Sequence, residues 1–177
     1  IDGRSPLPSG SHHQKSMVVK REGEAVGYVG GIDLAHQRWD TPEHCCVQSP
    51  PCEACEAVQR QPDMGETLGW QDVHARLRGP AVLDIEGNFV ARWNDDEEPA
   101  INEPSPPKIT RRLTQSDVAF SGIGTHSVQL LRTYICSYQS VCQHGCFTKN
   151  APNGETSHRD AILKAFQLAS NFIYIED

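Results

Sequence analysis

The sequence predicts an α/β chain, a mixed β-sheet flanked by helices. Three observations carry this. Short apolar runs at Ser16–Val19 and Ala25–Val29 flank a polar, glycine-containing stretch, the pattern of a hairpin. Longer segments at Ala81–Trp93 and Ser157–Ser170 place apolar residues at helical spacing. The two kinds alternate along the chain at strand–helix spacings, and the hairpin makes the sheet mixed rather than purely parallel.

The elements follow in order. The hairpin turn falls in Lys20–Glu24, and Gly30-Gly31 closes the second run. Residues 35–69 read as irregular, with Asp40-Thr41-Pro42 and Ser49-Pro50-Pro51 as turn signals. Val73–Leu77 alternates like a strand and Gly79-Pro80 interrupts it. A helix over Ala81–Trp93 then puts Val82, Ile85, Phe89 and Trp93 on one face. Asp95–Pro107 is an acidic, proline-rich linker or surface loop. Val128–Ile135 reads as a strand with Arg132 near its end, and residues 136–154 as a loop. In the last helix Ile162, Leu163, Phe166 and Ala169 form the apolar stripe, with Ser157 and Asp160 as its cap. Asn171–Ile175 reads as a closing strand. A chain that stops there, without a following turn, reads as truncated.

Composition narrows the function classes. The 177 residues are 37% hydrophobic and 22% charged, values that suit a globular chain with sizeable loops. The formal net charge is −7 and no run of Lys or Arg forms a nucleic-acid footprint, so no nucleic-acid partner is expected. No stretch approaches the ~18 apolar residues of a membrane span. Localisation is therefore expected to be cytoplasmic or peripheral at a membrane, and the compartment is not assigned. Seven cysteines fall in two groups: Cys45, Cys46, Cys52 and Cys55, then Cys136, Cys142 and Cys146. Cys52-Glu53-Ala54-Cys55 has the step of a zinc turn, but disulfides or free thiols fit as well. No metal ligand is assigned.

The chemistry centres on Ser11-His12-His13-Gln14-Lys15-Ser16. An imidazole and an ammonium two residues apart on an extended segment project to one face. Neutral imidazole can attack phosphorus or carry a proton near neutral pH. The lysine supplies charge for non-bridging phosphate oxygens. Small or polar residues precede the pair and an apolar strand follows, so it belongs at a strand end, at the rim of the core.

His13-Gln14-Lys15 with its neighbours resembles the first His-x-Lys-x-x-x-x-Asp motif of the phospholipase D superfamily. Tyr28-Val29-Gly30-Gly31-Ile32-Asp33-Leu34 resembles the Gly-Gly segment that follows it there. Arg38-Trp39-Asp40-Thr41-Pro42, Trp70–His74 with Gly79–Val82, and Gln129-Leu130-Leu131-Arg132-Thr133 resemble later blocks. Phe172–Glu176 resembles the strand that opens the second half. The blocks fall in family order across nearly the whole chain.

The resemblance implies a phospholipase D-like α/β/α fold, with residues 1–177 as an N-terminal half-domain of a longer two-motif chain. It implies hydrolysis or transphosphatidylation of phosphatidylcholine-like diesters through a phosphohistidine, with the phospholipid met at a membrane surface. His13 is then the nucleophile and Lys15 the phosphate ligand. His12, Gly30, Gly31 and Asp33 are supporting or substrate-binding residues, the glycines by letting backbone and substrate approach closely. No cofactor is expected in this segment, and calcium only through regions outside it.

Three departures bear on this. Lys20 fills the motif's acid position, which leaves Glu22 or Glu24 to reach back. Restoring an acid at 20 is then expected to preserve or raise activity. Gln71 stands where the family block has His. No second His-x-Lys occurs in the 177 residues, so the partner half with the second motif is expected from elsewhere and this chain alone is expected to be inactive. The alternatives are another phosphodiesterase or phosphatidyltransferase of the superfamily, or a degenerate lipid-binding module.

Overall fold

The computed structural model describes residues 13–35, 38–44, 52–59, 69–94, 107–119, 122, 124, 126–134, 151 and 154–175. Strand β1 (Lys15–Arg21) pairs antiparallel with β2 (Glu24–Gly30), which pairs antiparallel with β3 (His74–Leu77). The sheet order is β1-β2-β3. Helix α1 (Glu53–Gln59) lies between β2 and β3 in sequence. Helix α2 (Ala81–Trp93) follows β3, and α3 (Ser157–Leu168) comes last. Sheet and helices together make the mixed α/β character expected, with an antiparallel sheet among the described residues.

The hairpin turn is as tight as its sequence allows. Glu22 and Gly23 both have positive φ, 49° and 93°. Two such residues in a two-residue loop make a type I′ turn, whose twist matches the flanking strands. Gly23 takes this conformation without a steric cost.

Strand alternation divides the sheet into two faces. Val18 and Lys20 of β1, Ala25 and Gly27 of β2 and Leu77 of β3 share the face that α2 covers. Ala25, Val82 and Val118 are the buried heart of this contact, with Val18, Leu77, Leu83 and Leu113 packed around them. Helix α2 sits close because Gly27 has no side chain: an added Cβ would lie 2.6 Å from Ile85 Cδ1. The opposite face carries Lys15, Met17 and Val19 of β1 and Val26, Tyr28 and Gly30 of β2.

Sequence and structure differ in several places. Residues Glu53–Gln59, read as irregular, are helical. On α2, Val82 and Ile85 are buried as expected, but Phe89 and Trp93 are exposed and stack on one another with ring centroids 5.6 Å apart. Glu86, Asn88 and Val90 are buried instead. The 107–114 segment also packs on the helix and holds its second half. There Asn94 holds Ile109 through two 2.8 Å hydrogen bonds, and Glu86 holds Arg112 and Leu113.

Helix α3 starts after Thr156, whose hydroxyl donates to Asp160, so the cap lies one residue earlier than expected. Its stripe of Ile162, Leu163 and Phe166 is exposed among the described residues. The segments 128–135 and 171–175, expected as strands, are not strands where described. Their one described bridge is Tyr134 with Glu155. A strand exists only where its backbone groups pair with a neighbour, and apolar content alone does not supply one.

Candidate active site

The segment before β1 is held by side chains more than by the sheet ladder. The first ladder pair is Lys15 with Gly30, so His13 and Gln14 precede it. Lys15 folds back to donate from Nζ to the carbonyl of His13 at 3.1 Å. The same ammonium lies 3.0 Å from Asp33 Oδ1, and its side chain is only 12% exposed. Asp33 follows β2 and is reached because Gly30-Gly31 ends that strand beside the start of β1.

Asp33 thus stands between two cations. Arg38 Nη2 approaches its second oxygen at 3.7 Å. The hydrogen bond from Lys15 holds the Asp33 carboxyl below its ordinary range. Burial opposes this, and the charges of Lys15, Arg38 and His13 reinforce the hydrogen bond, so the net direction is downward. Arg38 in turn lays its guanidinium on Trp70, 3.5 Å from the ring centroid, a cation–π contact. Asp33, Arg38 and Trp70, though not His13 or Lys15, line a cleft of about 530 Å³ with Trp39, His44 and Asp72.

Gly30 and Gly31 have a structural reason that the sequence alone does not reveal. A Cβ at Gly30 would collide with the Val73 carbonyl oxygen and the His74 ring, and one at Gly31 with the Asp72 carboxylate. The close approach that the pair allows is that of residues 72–74 of this chain. His12 lies outside the described residues.

Gln14, between His13 and Lys15, is gripped from the α2 side. Asn88 Nδ2 donates to Gln14 Oε1 at 3.1 Å, and Asn88 Oδ1 accepts from Tyr134 Oη at 2.5 Å and from Arg132 Nη1 at 3.4 Å. Arg132 also pairs with Glu155 at 2.8 Å, and its backbone exchanges hydrogen bonds with the Ser157 hydroxyl. Burial pushes the Tyr134 phenol above its ordinary value, which keeps it a donor. Sequence reading missed Asn88 and Tyr134. The sequence offered little signal, because Asp84 and Arg92 stand at helical spacing on either side of Asn88.

Lys20 does not join this group. Alternation puts it on the α2 face, opposite to Lys15, where its ammonium pairs with Asp117. Asp117 is the third residue of a short 3₁₀ turn, Gln115–Val118, in a reciprocal cap with Thr114. Hydrogen bonds from Lys20 and Thr114 hold its carboxyl far below the ordinary range. Glu22 and Glu24, the alternative acids, lie near Arg21 at 3.5 Å and Arg78 at 3.4 Å. Of the cysteines, Cys52 is disulfide-bonded. Cys45, Cys46, Cys136, Cys142 and Cys146 lie outside the described residues, as does the side chain of Cys55.

A family model described as Phospholipase D matches residues 7–177. Phospholipase D alpha 1 of Nicotiana tabacum is 29% identical over 198 residues, covering 94% of this chain and 24% of the relative. Phospholipase D beta 2 of Arabidopsis thaliana is 26% identical, covering 94% and 21%. Phospholipase D1 of Schizosaccharomyces pombe is 28% identical, covering 94% and 14%. The chain thus spans a quarter or less of the length of these relatives. No solved structure gives a significant match. Among the described residues no helix is long and apolar enough to cross a membrane.

Proposed function

The chain belongs to the phospholipase D family, and from that premise we propose that it contributes one half of a phosphodiester-cleaving site that acts on phosphatidylcholine-like lipids at a membrane surface. The observation that carries the reading is the seating of Lys15. The ammonium is largely buried, faces the side of the sheet shared with His13, and is held by the carboxylate of Asp33. A phosphodiester arriving at the strand end can replace Asp33 as its partner without any movement of the backbone.

In this reading His13 attacks phosphorus. The phosphorus–nitrogen bond forms as the bond to the alcohol oxygen breaks, and that oxygen takes a proton from a second imidazole. Water then cleaves the phosphohistidine, giving phosphatidic acid and free imidazole. Two easier steps replace one difficult displacement, and Lys15 offsets charge that grows in the transition state. The second imidazole comes from another His-x-Lys motif, in a longer chain or in a second copy related by a two-fold axis. The 177 residues alone, as a monomer, are then inactive.

A second reading, a lipid-binding module without turnover, is favoured by one observation. Lys20 occupies the acid position of the motif and is engaged with Asp117 on the far face of the sheet. The two readings separate in one experiment. The protein is mixed with phosphatidylcholine vesicles, and choline release and sedimentation with the vesicles are both followed, with mass by light scattering. The enzymatic reading expects release that His13→Ala abolishes and Lys15→Ala lowers at least ~100-fold, the scale of one lost charge donor. Vesicle binding without release from any assembly supports the module. Turnover by a monomer overturns the half-site. Faster cleavage of an oligonucleotide than of lipid would move the substrate to nucleic acid.

A further inference from the structure

The sheet register places a second imidazole beside the candidate pair. Lys15 pairs with Gly30, and Gly30 pairs with His74. Residues directly opposite one another in adjacent antiparallel strands project to the same face. Lys15, Gly30 and His74 therefore form one row across β1, β2 and β3, on the face away from α2. Strands lie about 4.8 Å apart, so the Lys15 and His74 backbones are separated by roughly twice that, with only a glycine between them.

The middle of the row is where the His74 ring lies. A Cβ at Gly30 would meet His74 Cγ and Nδ1 as its nearest side-chain atoms. The imidazole therefore lies against Gly30, over the middle strand, with the rest of the side chain exposed. Any bulkier residue at position 30 would collide with the ring and with the Val73 carbonyl oxygen beside it. This gives Gly30 a specific purpose: it is the seat of the ring.

The surroundings suit an anion. His74 is exposed, and among the described residues its ring has no hydrogen-bond partner. The acids nearby are already engaged: Asp33 by Lys15 and Arg38, and Asp72 by the backbone N–H of Val73 at 2.6 Å. The side chains of Lys15 and His74 thus offer two donors on one face of the sheet, from backbone positions separated by Gly30 alone.

We propose that His74 is a further substrate-binding residue of this site, donating a ring N–H to a non-bridging oxygen of the phosphodiester whose other oxygen is held by Lys15. The inference rests on the phosphodiesterase reading for its substrate, but not for its test. Inorganic phosphate serves as a probe that needs no turnover.

The experiment titrates the 177-residue protein with inorganic phosphate by NMR, following the ring resonances of His74 and His13. In parallel, choline release is measured in whichever assembly turns over. Both rings are expected to shift along one saturating curve. His74→Ala should weaken phosphate binding about tenfold, the scale of one hydrogen bond to a charged group. Where turnover exists, kcat/KM should fall by about 10–100-fold with the thermal midpoint unchanged, because the side chain is exposed and supports no core. His74→Gln keeps an N–H donor at similar reach and should recover most of the phosphate affinity. Gly30→Ala should reproduce the His74→Ala loss with His74 still present. Phosphate affinity equal in wild type and His74→Ala overturns the proposal, as does a His74 ring that does not shift while His13 does. Phosphate binding that depends on His74 without choline release leaves the proposal standing and removes the lipid-cleaving function instead.

Discussion

Helix α2 comes closest to the sheet at Gly27, and that contact can be tested by substitution. Gly27 of β2 faces the helix, and an added Cβ would lie 2.6 Å from Ile85 Cδ1 but 3.5 and 3.6 Å from the two Val82 methyls. The first distance is a collision and the others are ordinary contact. Ile85 is 2% exposed, so its terminal methyl has no solvent to turn into. Gly27→Ala should cost about 1–3 kcal/mol through overpacking, offset by about 0.4–1 kcal/mol from the stiffer unfolded chain, for a net of roughly 1–2 kcal/mol. Ile85→Val removes the colliding methyl and should cost about 0.5–1.5 kcal/mol.

The double variant removes Cδ1 and fills its place with the new Cβ, which then nests against Val82. It should lie within about 1 kcal/mol of wild type, so the two changes couple favourably by about 1–2 kcal/mol. Urea denaturation of the four proteins, with the m-value checked for constancy, measures this. Costs that add to within about 0.5 kcal/mol would refute the packing argument. The seat also bears on function, because Asn88 lies one turn beyond Ile85 and holds Gln14 between His13 and Lys15. Phosphate binding should therefore be recovered in the double variant alongside stability.

Lys20→Asp follows differently from the structure than from the motif. Read from the sequence, it restores a missing acid. In the fold it replaces the partner of Asp117 with a second carboxylate, and like charges at that distance repel. It should lower the thermal midpoint more than Lys20→Met does. A variant as stable as wild type would mean that the Lys20–Asp117 pair contributes nothing. Acid should weaken the contact between α2 and the 107–114 segment. Burial favours the neutral form of Glu86, but hydrogen bonds from Arg112 and from the Leu113 N–H, with the Arg112 charge, prevail and hold its carboxyl below the ordinary value. A depressed folded value means that the stabilisation is present above the unfolded value of about 4.3 and lost as pH falls through the folded one. The gap in thermal midpoint between wild type and Glu86→Gln should therefore shrink from about pH 6 to about pH 3. A gap independent of pH would remove Glu86 as its source.

The sequence alone determined the features whose causes are local. Glu22-Gly23 between two apolar runs specifies the hairpin, because a two-residue loop with Gly supplies the positive φ that the turn requires. Gly79-Pro80 ahead of a 3.6-residue apolar period marks where α2 begins, and the helix spans Ala81–Trp93 as read. His13 and Lys15 share a face because alternation along an extended chain demands it.

Tertiary structure decided what depends on distant partners. Segments 128–135 and 171–175 have strand-like composition, but strand status belongs to a pair of segments and not to one. Lys20 reads as a defect of the motif until Asp117, 97 residues away, is seen beside it. Asn88 reads as one polar residue among others on the helix until Gln14, Arg132 and Tyr134 converge on it. Gly30 reads as room for substrate until β3 brings the His74 ring over it. Local rules carry backbone conformation and side-chain direction, whereas which side chains meet is set by register and packing between segments that the sequence keeps far apart.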